Sequence, residues 1–153
     1  MKVGEKICFL ATGFLILLVM GTASPCLATD EEALVTEIDI KPETLNLKSK
    51  GNWVTVFVEP PEGYEAEDII ADSVVISAVG GTITNIEPVR SNLTDSDDDG
   101  VNELKLKYSR GELQSAISQS NLTGQVEVTL TGTLSDTKTF MGSDTIRIKG
   151  FKE

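Results

Sequence analysis

Hydrophobic and polar residues alternate through most of the chain after residue 34, the pattern of strands that bury one face. The clearest example is residues 53–59, where three valines share one face while Trp53 and Phe57 lie on the other. Bulky side chains on both faces are typical of a strand inside a sheet. The pattern therefore predicts an interior strand here, with Trp53 in the core.

The same period of two recurs along the chain, in segments separated by residues typical of turns. These segments are residues 35–41, 45–47, 74–79, 82–86, 104–108, 126–134 and 145–149. Proline and glycine between them, as at Pro42, Gly51 and Gly80-Gly81, favour tight turns. About seven to nine short strands with regular turns predict an all-β fold, an antiparallel immunoglobulin-like sandwich.

One segment, residues 109–120, has a helical pattern instead. Ser109 and Glu112 have the spacing of a capping box, and Leu113, Ala116 and Ile117 then fall on one helical face. We expect a short helix that crosses between the two sheets.

The first residues have the features of a secretory signal. Lys2 and Lys6 precede an apolar run from Ile7 to Met20, which is short for a membrane span of about 20 residues. Small Ala28 precedes a polar stretch, so we predict cleavage there, with residues 1–28 removed and residues 29–153 forming a single domain. The mature chain is expected to have no membrane span.

Other fates of this segment stay open. Cleavage after Ala23 is an alternative, as is an uncleaved segment that anchors the protein. Lipidation at Cys26 is a third, although Pro25 is a poor match to the small residue that such a signal requires.

Composition narrows the classes of function. The chain has 13 basic and 24 acidic residues and a net charge of −11, which argues against nucleic acid and anionic lipid as partners. It contains no His, and its two cysteines, Cys8 and Cys26, lie in the predicted signal. Ser-His-Asp and Cys-His catalysis are therefore excluded in the mature chain, and paired carboxylates for a glycosidase would need less uniform surroundings. We expect no enzymatic activity.

An acidic loop carries the best indication of function. Asp95, Asp97 and Asp99 occupy the first, third and fifth positions of residues 95–103, and Gly100 at the sixth allows a sharp turn with positive φ. Alternating carboxylates of this kind curl around one ion, and calcium accepts several hard oxygens in flexible geometry. The spacing predicts a structural calcium site of weak affinity, with Kd on the order of 10⁻⁴–10⁻³ M.

Two further ligands complete the predicted site. The Val101 carbonyl is expected to point inward from the seventh position, and Glu103 at the ninth is expected to close the site. The pattern departs from an EF-hand at the twelfth position, where Leu106 replaces the bidentate acid. The alternative is a solvated acidic turn that binds no ion, since Asp, Asn, Ser and Gly also favour such turns.

Two Asn-x-Thr sequences offer glycosylation sites to an exported protein. They place Asn92 and Asn121 in predicted loops. Chance occurrence is the alternative, because such tripeptides are common.

Several segments together resemble secreted β-sandwich modules of archaea and bacteria. The resemblance covers most of the mature chain and is carried by Ile38-Asp39-Ile40-Lys41-Pro42, residues 45–51, the acidic loop and Gly142-Ser143-Asp144-Thr145-Ile146. The loop itself is similar to the calcium loops of dockerins and thrombospondin-type repeats. This resemblance implies an exported or cell-surface sandwich and no reaction.

These observations predict a secreted or surface-attached, calcium-stabilised binding or structural module, whose partner is a surface protein or a glycan. The alternative is a carbohydrate-binding module, which presents aromatic faces to sugars. The Trp and Tyr residues are Trp53, Tyr64 and Tyr108, of which Tyr64 is expected to be exposed. A row of aromatic side chains on one sheet face would favour sugar binding.

Overall fold

Ten strands and one α-helix make up most of residues 32–150, the part of the chain that the computed structural model describes. The strands are β1 (Leu34–Val35), β2 (Ile38–Lys41), β3 (Thr44–Asn46), β4 (Trp53–Val58), β5 (Val75–Val79), β6 (Thr82–Ile86), β7 (Pro88–Thr94), β8 (Glu103–Ser109), β9 (Gly124–Thr133) and β10 (Thr139–Lys149). Helix α1 spans Arg110–Gln119, and two 3₁₀ turns span Ala66–Asp68 and Ala71–Ser73. The predicted signal, with its candidate cleavage and lipidation residues, lies outside the described residues.

The strands form two sheets. The first has the order β1-β10-β9-β5-β6, and β3 also pairs with β10; the second has the order β2-β4-β8-β7. Only β1 and β3 pair in parallel, both with β10, and the other described pairings are antiparallel. The predicted all-β, mainly antiparallel sandwich is confirmed, while its immunoglobulin-like character stays a prediction.

The core lies between the two sheets and receives side chains from both. In β4 the three valines are at most 1% exposed, and Leu106 and Tyr108 of the adjacent β8 are fully buried beside them. Leu130 and Phe140 of the opposite sheet belong to the same buried cluster. The alternation of the sequence thus separates a buried inner face from a more polar outer face.

The chain changes sheets within the segment that the sequence predicted as one strand, residues 35–41. β1 pairs with β10, and Thr36 still donates its N–H to the Met141 carbonyl at 2.9 Å. Glu37 already accepts from the N–H of Glu59, at 3.0 Å, and β2 then pairs with β4 in the second sheet. The first strand is therefore two short strands that connect the sheets.

Helix α1 connects the second sheet to the first, as the sequence predicted. The Ser109 side chain accepts the N–H of Glu112 at 3.5 Å, so the helix begins with the predicted cap. Leu113 and Ile117 are fully buried against the core. No helix among the described residues has the length and apolar character that crossing a membrane requires.

Strand β7 was not predicted. Its residues Pro88–Thr94 lie at the edge of the second sheet and include no buried residue. Since the hydrophobic period of two reports a buried face, an exposed edge strand carries little of that signal.

Candidate metal centre and the adjoining sheet face

The loop between β7 and β8 brings three carboxylates together at one end of the second sheet. Asp95, Asp97 and Asp99 each have a carboxylate oxygen, and these oxygens all lie within 4.8 Å of one another. Asp97 and Asp99 are exposed. This cluster could hold a metal ion.

Two residues with positive φ curl the loop so that alternate side chains converge. Gly100 has φ 88°, as its position in the sequence predicted, and Asp98 has φ 59°. Glycine adopts this backbone region without the steric cost that a Cβ imposes, and aspartate tolerates it better than most residues.

The carboxylates also hold the loop through its own backbone. Asp95 accepts the N–H groups of Asp99 and Gly100 at 3.2 and 3.0 Å, and Asp99 accepts that of Val101 at 2.7 Å. A carboxylate offers about four lone-pair sites, so each retains capacity for an ion. Bonds of this kind also stabilise an acidic turn without any ion.

Glu103, the fourth predicted carboxylate ligand, is placed differently. Glu103 is buried at the start of β8, and its carboxylate accepts a hydrogen bond from the Ser96 hydroxyl. Val101, whose carbonyl is the fifth predicted ligand, donates its N–H to Asp99. The structure therefore brings together the carboxylates of Asp95, Asp97 and Asp99 and gives that of Glu103 a separate partner.

Negative charge continues from the loop onto the outer face of the second sheet. Burial raises the pKa of Glu59, and repulsion from Glu37, Glu103, Asp97 and Asp99 raises it further. We call Glu37, Glu59 and Glu103 the acidic end of this face. Any cation held by the loop would reduce the repulsion there.

Next to the acidic end, the same outer face is cationic. Strand pairing sets Phe57 opposite Lys105 and Arg90 opposite Lys107. The Lys105 ammonium lies 5.4 Å from the centroid of the Phe57 ring, and the Arg90 guanidinium lies 5.7 Å from that of Trp53. We call these five residues the cationic face.

The prediction that Trp53 lies in the core is wrong. Its side chain is 36% exposed because β4 points it away from the valines that fill the core. No sheet covers this outer face among the described residues.

The two tyrosines are both engaged within the fold. Tyr108 is fully buried and donates its hydroxyl to the Val74 carbonyl at 2.8 Å; burial raises its pKa. Tyr64, expected to be exposed, is half-buried and donates to Asp136 at 2.6 Å, while Lys138 lies 5.9 Å from its ring centroid. Trp53 and Phe57 are therefore the aromatic side chains that share an open sheet face.

The two candidate glycosylation sites have different settings. Asn121 lies in the turn after α1, as predicted, with φ 51°. Asn92 lies in β7 and not in a loop, in register with Lys105. A glycan on Asn92 would stand on the cationic face.

No protein-family model matches the chain, and no curated protein matches it. The resemblance to secreted sandwich modules therefore stays a prediction, and the function is argued from the two adjoining surfaces.

Proposed function

We propose that the chain is an exported, calcium-stabilised β-sandwich module that acts by binding at or near the cell surface, without catalysis. The observation that carries this proposal is the convergence of the Asp95, Asp97 and Asp99 carboxylates within 4.8 Å of one another. Carboxylates this close repel each other unless solvent or a cation compensates their charge.

Calcium fits the donor set better than other common ions. The cluster offers hard carboxylate oxygens in a loop that includes two positive-φ residues, and calcium tolerates irregular oxygen geometry. Magnesium prefers to retain its waters, while zinc favours nitrogen and sulfur ligands, which this cluster does not contain. Asp95, Asp97 and Asp99 would hold the ion.

The ion would act on stability through the position of the loop. The loop joins the edge strand β7 to the interior strand β8, so an ion bound there would hold the end of this hairpin. A ligand that binds only the folded state stabilises it by mass action. The role is therefore structural.

Composition supports a binding role over a catalytic one. The chain has no His, and its two cysteines precede the predicted mature domain. Export would place the loop where calcium is abundant. The partner is a surface protein or a glycan.

Thermal unfolding of the purified chain in EDTA and in about 10 mM calcium tests the proposal. For a Kd of about 10⁻⁴–10⁻³ M, calcium should stabilise the fold by about 1.4–2.7 kcal/mol and raise the midpoint by several degrees. The double variant Asp97→Asn, Asp99→Asn should lose this response. A matched variant, Glu62→Gln with Glu127→Gln, removes two exposed acids elsewhere and should keep it.

Equal midpoints in EDTA and calcium would identify the loop as an acidic turn. The same conclusion would follow if both double variants lost the response equally.

Carbohydrate binding is the second candidate. It is favoured by Trp53 and Phe57 on one open sheet face, the arrangement that sugar-binding surfaces use. This candidate does not require calcium.

A further inference from the structure

We propose that the cationic face, formed by Trp53, Phe57, Arg90, Lys105 and Lys107, binds an acidic polysaccharide. The inference rests on the proposed binding role of the module but does not depend on calcium.

The cations of this face lack acidic partners. Ion pairs among residues 32–150 involve only Lys41 and Lys138 as the basic members. Arg90 and Lys105 lie over aromatic rings instead, and Lys107 stands between them, in register with Arg90 and Thr55. In a chain of net charge −11, three adjacent cations that form no ion pair within residues 32–150 make a local site for an anion.

The aromatic rings add a preference for sugar. Trp53 and Phe57 are four residues apart on one strand, which separates them by about 13 Å. A pyranose ring presents C–H groups, which are attracted to the negative face of an aromatic ring, while its carboxylate or sulfate reaches a neighbouring cation. An extended acidic sugar chain can therefore use both kinds of contact along β4.

A second copy of the chain is a poorer occupant. Three strands about 4.8 Å apart and five residues in length give this face an area of about 240 Å². A stable protein interface buries about 800 Å² on each partner. A flat face of this size is better suited to a polymer that gains affinity from repeated contacts.

Nucleic acid is disfavoured by the charges around the face. Glu103 precedes Lys105 by two residues on β8, at a distance of about 7 Å. The acidic loop lies immediately before Glu103 in the sequence. A strand that carries a charge on every nucleotide would run onto this negative surface. Acidic polysaccharides include chains of lower charge density, for which three cations suffice.

Fluorescence gives a direct test, because Trp53 is the single tryptophan of the chain and belongs to the face. The purified chain is titrated in EDTA with hyaluronate, which carries one carboxylate on every second sugar, with neutral dextran and with oligothymidylate. Hyaluronate should shift the Trp53 emission, and binding should weaken with salt. Dextran should cause no shift, and oligothymidylate should bind at least about tenfold more weakly.

Matched variants locate the site. Lys105→Gln with Lys107→Gln should raise Kd at least about tenfold, since two charge-assisted contacts are lost. Lys48→Gln with Lys50→Gln makes the same change of charge on the loop after β3 and should leave Kd within about twofold. Arg90→Gln alters an exposed side chain and serves as an independent variant if the double variant unfolds.

Three outcomes would overturn the proposal. They are the absence of hyaluronate binding, equal losses in the two lysine double variants, and oligothymidylate binding as tight as that of hyaluronate. Since the titration is done in EDTA, binding with no calcium response in thermal unfolding would refute the calcium site and retain the polysaccharide site. A calcium response without polysaccharide binding would refute the polysaccharide site and retain the calcium site.

Discussion

Glu59 shows, at the scale of one residue, how the acidic end affects stability. Burial and the neighbouring carboxylates raise its pKa above the ordinary value of 4.5, so the folded state holds the proton more tightly than the unfolded state. This contribution to stability is complete below pH 4.5 and is lost as pH rises through the raised pKa. At neutral pH the charged side chain is therefore destabilising.

We expect Glu59→Gln to raise the unfolding midpoint at pH 7 and to leave it unchanged at pH 3, where the wild-type carboxyl is also neutral. The difference at pH 7 should shrink in calcium if the loop binds it. Thermal unfolding across this pH range checks the prediction, with Glu62→Gln as the control. A larger gain at pH 3 than at pH 7 would contradict it.

Arg110 is a second residue with unfavourable surroundings. It is 8% exposed, and its buried Nε lacks a hydrogen-bond partner among the described residues. A buried N–H donor without a partner costs stability, because the folded state does not replace its hydrogen bond to water. Arg110→Met should therefore raise the free energy of unfolding by about 1 kcal/mol or more.

Denaturant unfolding measures this effect, and Arg147→Met, at an exposed position, should change the free energy by no more than about 0.5 kcal/mol. A loss of stability in the Arg110 variant would show that the packing of the guanidinium outweighs its desolvation.

At the scale of elements, Gly142 of β10 permits the crossing of the first strand between sheets. A Cβ at this position would lie 2.8 Å from the Thr36 carbonyl oxygen and 2.7 Å from a methyl carbon of Ile38. The backbone carbonyl of Thr36 cannot move aside as a flexible side chain can. Two residues further on, Asp144 accepts the N–H of Ile40 at 2.9 Å, so the same part of β10 also holds β2.

We expect Gly142→Ala to destabilise the fold by about 1–3 kcal/mol, as overpacking does elsewhere. Gly111→Ala in α1 is the matched control: its Cβ would meet no atom closer than 3.9 Å, and alanine should stabilise the helix by up to about 1 kcal/mol. Denaturant unfolding of both variants checks the prediction. A neutral Gly142→Ala would show that the crossing can shift.

Elements that bury one face and expose the other could be predicted from the sequence. The strand at residues 53–58, the strand at 104–108 and the capped helix after Ser109 were found in this way. Edge strand β7 could not be found, because none of its residues is buried. The break at Thr36 was also hidden, since its alternation continues while the partner strand changes.

At the scale of the whole molecule, the Asp cluster and the cationic face also differ in how well the sequence predicts them. The Asp cluster lies within five residues of sequence, so spacing alone predicted it. The cationic face is assembled from β4, β7 and β8, and its chemistry emerges only when strand pairing sets Lys105 beside Phe57 and Arg90 near Trp53. Sequence spacing contains no sign of such a pairing.

The two surfaces should also interact electrostatically. The acidic end lies about 7 Å from Lys105, within the Debye length of about 8 Å at physiological salt. Calcium in the loop should therefore raise the affinity of the cationic face for hyaluronate severalfold. The Asp97→Asn, Asp99→Asn variant should bind more tightly than the wild type in EDTA and should not respond to calcium.

The Trp53 titration, repeated with and without calcium, measures this coupling. Glu62→Gln with Glu127→Gln controls for the change in net charge. A calcium effect that persists in the Asp97, Asp99 variant would instead indicate calcium bridging within the polysaccharide.

The parallel pairing of β1 and β3 with the two ends of β10 has a mechanical consequence. A pull that separates the start of β1 from the end of β10 slides these strands past each other, so the hydrogen bonds of each pair bear the load together. An antiparallel pair pulled from the same end would open one bond at a time. Because the chain between β1 and β3 also pairs in the second sheet, the load passes to both sheets. We therefore expect the sandwich to resist a pull applied in this direction.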